Sequence, residues 1–147
     1  MLSRNIFFYK KVKLSDNFET RIYLMFIHFS IMMIIFKEKG EKFSQKSYDF
    51  VFHNIENNLR ELGFGDVSVN KKMKDLNKIL YDILLKILPD SKKIDINNEL
   101  ALKYFPELVE NSNEKSKLFK EYFIKFYHFC FEKSPEFVIR EIIKFKV

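Results

Sequence analysis

Residues Leu59–Lys74 read LRELGFGDVSVNKKMK, and their punctuation decides how the rest of the chain is parsed. Upstream, Tyr48, Phe52, Ile55, Leu59 and Leu62 recur at steps of four, three, four and three, predicting a helix over about 43–62 with one apolar face. Gly63 stands where a left-handed C′ residue closes such a helix. Gly65 and Asp66 carry the chain round, and Ser68 is the expected N-cap of the next helix. Downstream, Val69, Met73, Leu76, Leu80, Ile83 and Ile87 alternate steps of four and three, the seam of a bundle helix over about 69–88.

The remainder fits the same class. The 147 residues suffice for one domain with a sizeable core. Three glycines and three prolines leave few places for tight hairpins, so the expectation is an all-α single-domain bundle of about five to six helices. Residues 1–15 read as a basic arm with a frayed end, and 16–147 as the helical domain. Asp16 followed by Glu19 resembles a capping box opening a first helix over about 17–37. Its centre, Ile22–Phe36, is apolar around nearly the whole circumference. Fifteen residues rise about 22 Å, short of a hydrocarbon core of about 30 Å, so the stretch is expected as a central core helix. Arg21 and Lys37 bracket it, and Gly40 supplies the turn that follows. Pro89–Ser91 ends the 69–88 helix, with a linker over 89–96. A short helix over 97–105 stops before Pro106, and 107–115 reads as a polar mobile connection. A helix over 115–132 and a last segment opened by Ser134-Pro135 complete the chain.

Charge narrows the partners. The net charge is +6, but residues 1–13 hold four cations and no acid, and Lys71, Lys72, Lys74 and Lys78 outweigh Asp75. The rest is near neutral, which disfavours a general nucleic-acid surface; DNA is not expected as a partner. At ~100° per residue, Lys71, Lys74 and Lys78 fall opposite the seam, forming a basic outer face.

Catalytic chemistry is not signalled. There is no glycine-rich phosphate loop, nucleophile elbow or metal-ligand spacing, so neither enzyme activity, cofactor nor metal is expected. His28, alone in an apolar helix, reads as a hydrogen-bonded core residue. Cys130, the single cysteine, reads as a buried inert thiol. Asp66 reads as a turn residue.

The quoted stretch resembles the signature of the ubiquinol–cytochrome c chaperone family, assembly factors of respiratory complex III. The resemblance rests on Leu59, Arg60, Glu61, Leu62 and Gly63, on Gly65-Asp66, and on Val69, Lys71, Lys72, Met73 and Lys74. His28 in the apolar helix and Tyr81 further on are compatible with it, and about residues 20–85 are covered. Asn70 and Asp82 depart from the family pattern, where a small residue or Pro and a Gly are common. The resemblance implies a helical, non-enzymatic chaperone that binds newly made cytochrome b. Mitochondrial relatives work with a small partner assembly factor near the ribosomal tunnel exit, before haem insertion. The short chain resembles the bacterial form, which implies a cytoplasmic location peripheral to the inner membrane, or the matrix side if eukaryotic. The lysines at 71, 72, 74 and 78 are then the expected contact surface for a protein partner, ribosomal RNA or an anionic membrane. A membrane-peripheral helical adaptor binding anionic lipid or the ribosome through the basic patches, without a client, is the alternative.

Overall fold

A computed structural model describes residues 2–87, 94–111 and 113–147. Within them the chain is all-helical, with α1 (Ile6–Lys10), α2 (Phe18–Glu38), α3 (Gln45–Glu61), α4 (Asp66–Ile87), α5 (Asn98–Tyr104), α6 (Glu107–Asn111), α7 (Asn113–Phe131) and α8 (Pro135–Glu141). Short 3-10 turns at Leu2–Arg4 and Ile142–Lys144 flank the set. The expected stop at Pro89–Ser91 and most of the linker over 89–96 lie outside the described residues.

The organising element is α2. Its all-round apolar sequence has a direct cause: α4, α7 and the Leu2–Arg4 turn all pack against it. Leu24, Phe26, Ile27 and Ile31 are fully enclosed, so most of the helix circumference is covered. Among the described residues α2 is also the one helix long and apolar enough to cross a membrane, and here it is the core helix. At its start, Asn17 is the cap, its side chain accepting from the Thr20 amide at 2.8 Å. Asp16, expected in that role, instead pairs with Arg21 at 2.6 Å.

Eight α-helices among the described residues exceed the five to six expected. The surplus is α1 and α6, of five residues each, while α8 is the last segment that Ser134-Pro135 was expected to open. Two turns or fewer carry no readable periodicity and hold their shape only through tertiary burial. The N-terminal residues, expected to fray, are tied down by that mechanism. Phe8 is fully buried and meets Phe119, Tyr122 and Phe123 of α7 at centroid distances of 6.2, 4.6 and 5.8 Å. Likewise the described part of 107–115 is helical, not a loose connection: α6 folds over Glu107–Asn111, α7 begins at Asn113, and Leu108 is buried.

Ser68 is not the cap of α4. The helix begins at Asp66, and the Gly65 carbonyl accepts from the Val69 amide at 2.9 Å. Asp66 in the first turn suits the positive end of the helix dipole better than a start among lysines would. Further along, Asp82 ties α4 to α5, accepting from Lys103 Nζ at 2.9 Å and from the Tyr104 hydroxyl. Burial tends to raise the Asp82 pKa, but the Tyr104 and Lys103 hydrogen bonds outweigh it and the net shift is downward.

Candidate functional site: the α3–α4 corner and its flanking clefts

The corner is built by backbone geometry. Gly63 has φ +94°, a left-handed conformation that an L side chain adopts only with strain. Its amide donates to the Arg60 carbonyl at 2.9 Å, and the Phe64 amide to the Leu59 carbonyl at 3.2 Å. Those two bonds form a Schellman closure of α3. Arg60 then clasps both helices, bonding Glu56 Oε1 at 2.9 Å behind it and Asp66 across the turn. Leu59 is buried beneath the corner, pinning it to the core.

Outside the corner the surface is apolar beside cations. Leu62 and Val67 are 60% and 85% exposed, more than a turn between core helices needs. Lys72 lies with Nζ 4.6 Å from the Phe64 ring centroid, a cation–π contact on the wall of a cleft of about 450 Å³. Phe18, Ile22, Leu76 and Ile79 line the same cleft. Lys71, Lys74 and Lys78 are exposed and share a face at steps of three and four. Lys78 reaches Asp75 only at 4.0 Å, with both side chains mostly in water. The four lysines are therefore divided: Lys72 faces the cleft, and the other three face solvent.

The remaining signature residues sit elsewhere. Tyr81 is half exposed beside Tyr48, whose hydroxyl donates to Asn77 and closes the α3–α4 seam. His28 belongs to the core. Its Nδ1 lies 2.6 Å from the Leu24 carbonyl and its Nε2 3.0 Å from the Tyr122 hydroxyl. A carbonyl only accepts, so Nδ1 carries the proton and Tyr122 donates to Nε2. Phe123 and Phe126 enclose the ring at 4.9 and 4.8 Å. Burial pushes the His28 pKa down to about 4, partly offset by the Leu24 hydrogen bond, so the ring is neutral at physiological pH. Burial likewise pushes the Cys130 thiol up to about 12.

Sequence reasoning missed a second feature. Two further clefts, about 720 and 480 Å³, lie along α3 and share Phe50 and Val51 on their walls. Phe50 was the available signal: an aromatic off the Tyr48–Phe52–Ile55 stripe, and 70% exposed.

Against known proteins, the model of the Ubiquinol-cytochrome C chaperone family matches residues 10–88, more than half of the chain. No curated protein and no solved structure matches it. The matched span runs from the end of α1 to the end of α4 and contains the whole corner.

Proposed function

The chain belongs to the ubiquinol-cytochrome C chaperone family, and from that premise we propose that it holds newly made cytochrome b for assembly into respiratory complex III, acting without catalysis at the membrane surface. The observation that carries this reading is the exposed apolar set Leu62, Phe64 and Val67 on a braced corner, bordered by Lys71, Lys72, Lys74 and Lys78 and lying within the family-matched span. An apolar client needs contact area that the protein's own core does not use, and apolar patches of that kind on a soluble surface mark interaction sites. The lysines supply long-range attraction to an anionic partner, whether an acidic assembly factor, ribosomal RNA at the tunnel exit or anionic headgroups.

The corner is stiff where a docking surface has to be. The Schellman closure, the Arg60 clasp and buried Leu59 fix the angle between α3 and α4, so the apolar residues and the lysines keep their spacing. Affinity capture from growing cells in mild detergent tests the reading. Wild-type protein is expected to recover cytochrome b, and the triple change Lys71→Glu, Lys72→Glu, Lys74→Glu to recover several-fold less with helical content unchanged. Recovery of no cytochrome b by the wild type refutes it.

A further inference from the structure

The three clefts are parts of one valley. The 720 Å³ cleft shares Phe50 and Val51 with the 480 Å³ cleft at one end, and Phe18, Ile22 and Leu62 with the 450 Å³ cleft at the other. Its floor on α2 is Phe18, Ile22, Met25, Phe29 and Met32, at steps of four, three, four and three. Its wall on α3 is Ser47, Val51, Asn54, Asn58 and Leu62, at steps of four, three, four and four. Backbone contact explains the opening: α3 packs chiefly on α4, while α2 packs on α4 and α7. Between α2 and α3 the contact is made by long side chains such as Phe26 and Phe52, 5.8 Å apart.

Two stripes of that spacing, side by side, are what a third helix meets when it packs into a bundle. We infer that this valley is the seat of an apolar α-helix of nearly five turns, supplied by the client protein; the inference rests on the chaperone reading above. The length agrees. The 17 residues of α3 rise about 25 Å, and lining residues run from Lys46 to Leu62, nearly its whole extent. That is about 5 Å short of a hydrocarbon core of about 30 Å, so the valley seats most of a membrane-spanning segment and not all of it.

The lining also selects the backbone form. At the Phe29–Met32 end the polar groups are Lys46 and Ser47 alone, against Phe43, Ile139, Ile142 and the shared Phe50 and Val51. An extended chain there leaves amides and carbonyls without protein partners. A helix satisfies its own backbone and presents side chains only. Midway, Asn54, Asn58, Arg4, Arg21 and Glu61 border the valley, so one polar position in the occupant is matched there. Met25 and Met32 give the floor the adaptability that varied apolar side chains require.

The test uses the full chain and a fluorescent 20-residue leucine/alanine helix with terminal lysines, in dodecyl maltoside, read by anisotropy. Phe50→Glu and Leu62→Glu place a charge in the valley at exposed positions, where folding tolerates it. Each is expected to raise the Kd at least fivefold, while Leu102→Glu, 56% exposed on α5, which lines none of the three clefts, leaves it unchanged. Binding that survives both valley substitutions overturns the inference. So does equal binding of the same peptide broken by a central diproline, or an oleate probe that occupies the valley in the peptide's place. If Phe50→Glu loses the peptide but still captures cytochrome b, the valley is not the client's seat and the chaperone reading stands. If the wild type captures no cytochrome b yet peptide binding depends on Phe50, the helix seat stands and the chaperone reading falls.

Discussion

Acidification should destabilise this protein through His28 in a way that one double substitution removes. The imidazole is neutral and enclosed in the native state, with its pKa near 4, whereas in the unfolded chain it returns to about 6.5. Between those values the unfolded state binds the extra proton, so stability is complete above about pH 6.5 and falls as the pH drops toward 4. The gap amounts to about 3 kcal/mol in full, and about 2 kcal/mol is lost between pH 7 and pH 5. For a domain of this size that is a large share of a total of roughly 5–15 kcal/mol. Carboxylates such as Asp82, whose pKa is held down, add their own loss at lower pH, so the comparison must isolate the histidine. His28→Leu with Tyr122→Phe removes the titrating ring together with the hydroxyl that donates to it, so neither is left without the other. Urea unfolding followed by far-UV circular dichroism at pH 7, 6 and 5 gives the stabilities. The wild type is expected to lose about 2 kcal/mol more than the double variant between pH 7 and pH 5. Parallel losses in the two proteins refute the reasoning, because they show that His28 is protonated without penalty in the folded state.

Three further outcomes follow from the packing. Gly63→Ala meets no steric neighbour but must keep φ near +94°, so its thermal unfolding midpoint should fall by the equivalent of about 1–2 kcal/mol, measured by calorimetry. Phe8→Ala, in a residue fully buried against α7, should cost about 3–5 kcal/mol in urea unfolding; a loss under 1 kcal/mol would mean that the N-terminal residues are dispensable. Cys130, fully buried with its thiol pKa raised to about 12, should react with iodoacetamide only as fast as the protein opens, and should label rapidly in denaturant.

The long helices were legible because their periods were. The steps of four and three in α4 and α3 placed both within a few residues, and the unbroken apolarity of α2 required the cover that three packing elements supply. Gly63 was readable for a conformational reason, since a C′ residue with positive φ favours glycine whatever surrounds it. The Arg60–Asp66 clasp was not, because a pair six residues apart across a turn follows no helical spacing. The His28–Tyr122 bond joins residues 94 apart, so sequence showed the buried histidine but not its partner. Short helices such as α1 and α6 exist through burial of Phe7, Phe8 and Leu108, a tertiary cause that leaves no periodic trace. The valley is the least legible feature of all: it arises from the distance between α2 and α3, which is set by how each packs on α4.

The central claim is that cytochrome b depends on this chain to reach complex III. Reduced-minus-oxidised spectra of membranes, taken with and without the gene, measure that dependence directly. Loss of most of the cytochrome b signal and of ubiquinol–cytochrome c reductase activity on deletion, restored by the wild-type chain and poorly by Lys71→Glu, Lys72→Glu, Lys74→Glu, is the result the account predicts. A normal cytochrome b spectrum with normal reductase activity in the deletion strain would contradict it.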